Sequence, residues 1–196
     1  VAVALVCLLP LGLQAAKIDT LQVKSPSMNK SIEVVVVSPD VAATKACPVI
    51  YLLHGYGGNA CTWVGIKPDL PKIADEKGIF FVCPDGKNTW YWDSPLNADV
   101  RYETFISNEL VKYVDSHYKT VADRKGRAIT GLSMGGHGAM WNGLRHSDVF
   151  SAAGSTSGGV DIRPFPKNWE MSVQIGEKAK YPETGRSTRL SIWFQP

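Results

Sequence analysis

The chain has 196 residues, of which 44% are hydrophobic and 20% charged, a balance that fits one folded domain with a sizeable core and excludes disorder. The net charge of +3 comes from scattered Lys and Arg, with no basic stripe or aromatic-interleaved patch, so nucleic acid is excluded as an expected partner. Cys7, Cys47, Cys61 and Cys83 form no C-x-x-C pair and no His/Cys ligand spacing, so no metal site is expected.

The elements follow in chain order. Residues 1–13 are an uncharged apolar run too short to span a bilayer comfortably, and the run ends in Gln14-Ala15-Ala16, small residues suited to signal-peptidase cleavage. Polar sequence begins abruptly at Lys17, so residues 1–16 read as an export signal and not as a buried N-terminal element. The expected location is then periplasmic or secreted, with no stable membrane insertion once the signal is removed. Ser31–Ser38 is short and β-branched, hence a strand. Pro48–Leu53 is almost continuously apolar, as a strand covered on both faces should be. Lys67–Lys77 is a weak helix pattern, and Ile79–Cys83 is a third strand whose last residue reads as a small buried hydrophobe. Over Arg101–Tyr118, Ile106, Leu110 and Val114 recur every four residues with Phe105 and Tyr113 alongside, which predicts an amphipathic helix. Arg127–Thr130 and Val149–Gly154 complete the strands, a helix-like stretch lies at 139–144, and Trp169–Lys178 is a further helix pattern.

Strands alternating with helices predict an α/β fold with a mainly parallel, doubly wound sheet. No internal repeat or linker divides the chain, so residues 17–183 read as one domain. The tail at 184–196 is atypical, because it stops on the apolar cluster Ile192-Trp193-Phe194 without closing an element.

One stretch names a chemistry. Gly131-Leu132-Ser133-Met134-Gly135 follows the strand at 127–130 and leads into a helix-like segment. In that strand–G-x-S-x-G–helix context a serine is held on a sharp turn with its hydroxyl exposed. Glycines two before and two after the serine fit a turn in which backbone approaches backbone. His54-Gly55-Tyr56-Gly57-Gly58 directly follows the strand at 48–53, where α/β-hydrolases carry the loop that supplies the first oxyanion donor. Ser133 is therefore the expected nucleophile, and the backbone N–H groups of Tyr56 and Met134 the expected oxyanion hole. His54 and Gly55 would support that loop, His54 by hydrogen bonding. Trp90, Tyr91 and Trp92 lie in a loop spanning 85–99. They read equally as loop anchors packed on the sheet or as the wall of a substrate pocket.

Around these motifs the resemblance becomes specific. Tyr51–Gly58, Trp90–Pro95, Glu109–Asp115 and the run Gly-Leu-Ser-Met-Gly-Gly-His-Gly-Ala at 131–139 resemble the Putative esterase family of α/β-hydrolases. That family includes S-formylglutathione hydrolase (esterase D), tributyrin esterases, feruloyl and acetyl-xylan esterases, and mycolyltransferases. The resemblance implies an α/β-hydrolase fold and ester hydrolysis through an acyl-enzyme, with no cofactor. For an exported protein it implies short-chain acyl or cell-wall carbohydrate esters as substrates. An acyltransferase, an S-formylglutathione-hydrolase-like thioesterase and a non-catalytic truncated hydrolase are the alternatives.

A serine hydroxyl needs a base, normally His, oriented by a carboxylate, and in this fold both follow the serine. After Ser133 the chain has only His137 and His146. His137 lies inside the helix launched by the serine turn, and the resemblance makes it a packing residue. His146 sits near that helix's end, where a charge partner is expected. Asp161 follows the fifth strand and not a later one, which suits the acid poorly. The expectation is a partial α/β-hydrolase domain that lacks the last strand–helix units and, with them, full activity.

Overall fold

The computed structural model describes residues 16–95 and 97–160. The export-signal segment up to residue 15, Asp161, the helix pattern at 169–178 and the tail at 184–196 lie outside the described residues. Six strands form one sheet: β1 (Lys17–Ser25), β2 (Lys30–Ser38), β3 (Val49–Leu53), β4 (Phe80–Pro84), β5 (Arg127–Leu132) and β6 (Ala152–Thr156), in the spatial order β1-β2-β4-β3-β5-β6. The pairs β4–β3, β3–β5 and β5–β6 are parallel, whereas β1–β2 and β2–β4 are antiparallel.

The apolar strands sort their side chains between two layers. Val34, Val36, Tyr51, Leu53, Val82 and Ile129 share one buried cluster, and Val35, Val37, Leu52, Phe81 and Cys83 share the other. Each strand alternates its side chains across the sheet, so a run of valines can only be this apolar when both faces are covered. Leu70 and Ala74 of α2 (Leu70–Lys77) cover the second layer. Phe105, Ile106, Leu110 and Val114 cover the first, joined by Ala139 of α5 (Met134–Arg145).

Strand β1 has no counterpart in the sequence reading. It is an edge strand whose inward positions, Leu21, Val23 and Ser25, alternate with exposed ones. Strand β6 begins at Ala152 and not at Val149; Phe150, just before it, is buried edge-on against Tyr51 at 5.7 Å. A one-turn helix, α1 (Thr62–Ile66), was also not expected.

The helix expected over 101–118 is three pieces: α3 (Tyr102–Thr104), a π-helical turn (Phe105–Glu109) and α4 (Leu110–His117). Two carboxylates bracket the wide turn. Glu109 accepts from Ser25 Oγ at 2.6 Å and from the Ser27 N–H at 2.8 Å, tying the segment to the β1–β2 hairpin. Glu103 accepts from Trp141 Nε1 at 2.7 Å, Arg145 Nε at 2.8 Å and His146 Nε2 at 2.8 Å, tying it to the far end of α5. Burial works to raise the Glu103 carboxyl, but the hydrogen bonds from Arg145, Trp141 and His146 outweigh it and hold it below its ordinary value. Among the described residues no helix is long and apolar enough to cross a membrane.

Glu103→Ala removes the acceptor shared by the Trp141 indole N–H, the Arg145 guanidinium and the His146 ring, and is expected to cost about 2 kcal/mol. Urea unfolding should show a lower midpoint with an unchanged slope, and Glu103→Gln a smaller loss.

Candidate active site

Strand β5 ends at Leu132 and α5 starts at Met134, so Ser133 alone makes the turn between them. Its backbone sits at φ 55, ψ −116, a region sparsely populated by L-residues. Such a conformation costs about 1–3 kcal/mol and persists only where the surroundings over-determine it. Here the Ser133 N–H donates to Thr156 O at the end of β6 (2.8 Å), and Ser133 O accepts from the His137 N–H (3.0 Å).

The flanking glycines are required by contact. A Cβ on Gly131 would run into the Gly135 carbonyl and lie 2.8 Å from Leu53 O. A Cβ on Gly135 would run into the Leu53 carbonyl and lie 2.7 Å from His54 O. The end of β5, the first turn of α5 and the end of β3 thus meet backbone to backbone. Ser133 is exposed at this junction, while Met134 beside it is fully buried. The Met134 N–H opens the helix and has no carbonyl one turn back to bond.

Gly55 lies against Ser133, since a Cβ on it would stand 3.5 Å from Ser133 Cβ. The loop after β3 is a tight turn in which the Gly58 N–H donates to Gly55 O at 3.0 Å, with Gly57 at φ +77. The Gly57 N–H is tied to Asn88 Oδ1 at 2.7 Å. His54 is buried beneath this turn. Its Nε2 accepts from the Gly86 N–H at 2.9 Å, which assigns the ring hydrogen to Nδ1, and Nδ1 donates to Gly55 O at 2.7 Å. Two donors therefore hold Gly55 O inward. Because the peptide is planar and trans, the Tyr56 N–H of the same unit points the opposite way. Holding the turn at Gly55–Gly58 is the work this geometry gives His54.

His54 Nε2 stands 3.6 Å from Asp85 Oδ1, beyond hydrogen-bond range. Burial works to raise the Asp85 carboxyl; the Lys87 ammonium and backbone N–H outweigh it and hold it well below the usual carboxylate range. Lys87 Nζ lies 2.6 Å from Asp85 and its N–H 2.9 Å.

Trp90, Tyr91 and Trp92 are all buried, the first two with left-handed backbone at φ 59 and φ 61. The Tyr91 ring lies between Gly86 and Gly138, either of which would collide with it if it carried a Cβ. The Tyr91 O–H donates to His54 O at 3.0 Å, and Tyr91 O accepts from Asn142 Nδ2 at 3.0 Å. Trp90 and Trp92 meet the His137 ring edge-on at 5.4 and 5.6 Å, and Trp141 stacks on it at 6.2 Å. His137 Nδ1 donates to Gly159 O at 2.8 Å. Burial pushes this imidazole below its ordinary value, with the Gly159 hydrogen bond opposing the shift.

All four histidines of the sequence are described, at 54, 117, 137 and 146. His54 holds the turn at Gly55–Gly58, His137 holds Gly159, His146 pairs with Glu103, and His117 bonds Tyr113 O at 2.8 Å. Among the described residues no histidine ring is hydrogen-bonded to Ser133; His137 reaches it through its backbone N–H. The three cysteines described, Cys47, Cys61 and Cys83, are free thiols. Sequence reasoning missed Asn88, Glu103 and Thr156. Each acts through a partner distant in sequence, and only Thr156, at the carboxyl end of a parallel strand, carried a positional hint.

Residues 25–195 match the family model described as Putative esterase. The chain belongs to that family. An esterase of Mycobacterium tuberculosis is 28% identical over 149 residues, covering 72% of this chain and 32% of its own length. An acetyl esterase of Caldicellulosiruptor saccharolyticus is 32% identical over 102 residues, covering 52% of this chain and 37% of its own length. The chain thus spans about a third of the length of these curated relatives. Among solved structures, a ferulic acid esterase superposes with a TM-score of 0.69 at 30% identity, covering 84% of this chain and 67% of its own. The architecture shared by this Putative esterase member and its solved neighbours is the α/β-hydrolase fold.

Gly135→Ala is expected to cost about 3 kcal/mol by driving a methyl into the Leu53 carbonyl, measured by chemical denaturation. A second outcome follows from His137. Its folded-state pKa is lowered, so below about pH 6.5 the unfolded chain takes up a proton that the folded chain resists. Stability at pH 5.5 should be lower than at pH 7.5, and His137→Phe should flatten that difference.

Proposed function

We propose that the chain is the nucleophile-bearing part of a serine esterase, with Ser133 taking the acyl group and the Tyr56 and Met134 N–H groups stabilising the oxyanion. The observation that carries this reading is the exposed Ser133 in its strained turn, with Gly55 packed against it and the amide next to Gly55 turned away from the loop interior. Oxyanion donors of this kind are worth a few kcal/mol of barrier each. Attack of Ser133 Oγ on the ester carbonyl gives a tetrahedral oxyanion. Its collapse expels the alcohol, and water then releases the acid from the acyl-enzyme.

The proton on Ser133 needs an acceptor. The four histidines are committed elsewhere, so the base belongs to residues beyond them, and the 196-residue chain alone should turn over slowly. Short-chain acyl and cell-wall carbohydrate esters are the proposed substrates. The acetyl and ferulic acid esterases among the relatives support this class, and the apolar run at the start of the chain supports export.

With p-nitrophenyl acetate, the chain should release close to one equivalent of p-nitrophenol and then proceed slowly. Mass spectrometry should place the acetyl group on Ser133, and Ser133→Ala should abolish the adduct. An adduct at another residue would overturn the nucleophile assignment. Fast multiple turnover that depends on Ser133 would place the base within these 196 residues. Products formed with an added acceptor alcohol distinguish transfer from hydrolysis.

A further inference from the structure

We propose that His137 is a positioning residue for the nucleophile: through Gly159 it holds the segment after β6 against the serine turn and so fixes the conformation of Ser133. The proposal rests on the esterase reading for its catalytic consequence, though not for its structural one.

Both backbone polar groups of Ser133 are bonded, and His137 stands behind each. The His137 N–H donates to Ser133 O at 3.0 Å. The Ser133 N–H donates to Thr156 O at 2.8 Å, and three residues later Gly159 O accepts from His137 Nδ1 at 2.8 Å. The path from Ser133 to Thr156, along the chain to Gly159, across to His137 and back to Ser133 is a closed ring of hydrogen bonds and backbone. It encloses the turn between β5 and α5.

The segment inside this ring is pressed onto the helix. A Cβ on Gly158 would lie 2.6 Å from the Gly136 carbonyl carbon and 2.7 Å from the His137 N, so the two backbones touch. Ser157 adopts a left-handed backbone at φ 54 that bends the chain back over the first turn of α5. Two L-residues, Ser133 and Ser157, therefore hold sparsely populated conformations on either side of one contact, and such conformations relax unless they are clamped. The His137 side chain is the clamp that is not backbone.

Its own aim is fixed by packing. Trp90, Trp92 and Trp141 surround the ring at 5.4, 5.6 and 6.2 Å, and Trp141 is in turn held by Glu103. An imidazole with little freedom to rotate keeps Nδ1 on Gly159 O. A ring that merely filled space would need no nitrogen there.

Two variants separate the hydrogen bond from the packing. His137→Phe keeps an aromatic ring in the box and removes the donor. His137→Asn loses the ring and keeps an N–H near the position of Nδ1. Hydrogen–deuterium exchange on the full chain reads the clamp directly, without activity. His137→Phe should retain a cooperative melt while the Ser133 amide exchanges about tenfold faster, and His137→Asn should restore slow exchange. Unchanged exchange at Ser133 in the Phe variant overturns the proposal, as does equal acceleration in both variants. If the Phe variant does not fold, the Asn variant decides: parent-like exchange supports the clamp and fast exchange overturns it. Acetylation of Ser133 by p-nitrophenyl acetate should slow about tenfold in His137→Phe with half-saturation little changed. Loss of the adduct in the parent would count against the esterase reading alone, because the exchange result stands without it.

Discussion

Three stretches of backbone cross at one point, and the rest of the site is arranged around that crossing. The carbonyls of Leu53 and His54, the α-carbons of Gly131 and Gly135, and the Ser133 turn occupy space that side chains would ordinarily fill. No L-residue with a Cβ fits at either glycine, so the sequence has no freedom there. The reward is that a serine is thrust out of the sheet on a bend too sharp for ordinary strand-to-helix connections, beside the first free amides of a helix.

The loop opposite is fixed by a different means. The His54–Gly58 turn depends on a buried neutral imidazole, read in both directions: it accepts from the Gly86 amide and donates to the Gly55 carbonyl. Asp85, adjacent to that ring, has its own cation in Lys87. The imidazole is left free to serve as a dipole, a stable choice in a site where a buried positive charge would need compensation. Tyr91 joins the two halves, bonding the His54 carbonyl on one side and lying on Gly138 of α5 on the other. Loop, aromatic segment and helix are therefore tied to one another through Tyr91.

Much of this was legible in the sequence, and the limits have physical causes. Strands β2, β3 and β4 announce themselves because both their faces are covered and each carries an unbroken apolar run, Val34–Val37 in β2. Strand β1 does not: its inward Leu21 and Val23 fall on one parity while the exposed Ile18 falls on the other, so the alternation is blurred. Strand β6 is built of Ala, Gly, Ser and Thr, and the apolar Val149 and Phe150 that suggested it are the approach to the strand and not the strand itself. The sharp Ser133 turn and the His-Gly loop were readable because local backbone geometry dictates their residues. The ring through Thr156 and Gly159, and the Asn88 tie to Gly57, depend on segments far apart in sequence, and no local pattern encodes them.

The wide turn at Phe105–Glu109 has a consequence for how this helix serves two neighbours. Glu103, before it, reaches the tail of α5; Glu109, at its end, reaches the first hairpin of the sheet. Each residue of a regular helix advances the azimuth by about 100°. Deleting one residue from the bulge would leave an uninterrupted α-helix of better intrinsic geometry, yet it would swing one carboxylate a quarter-turn or more off its target. The extra residue thus works as a phase shifter, letting a single rod address two surfaces whose directions the ordinary helical repeat could not satisfy together.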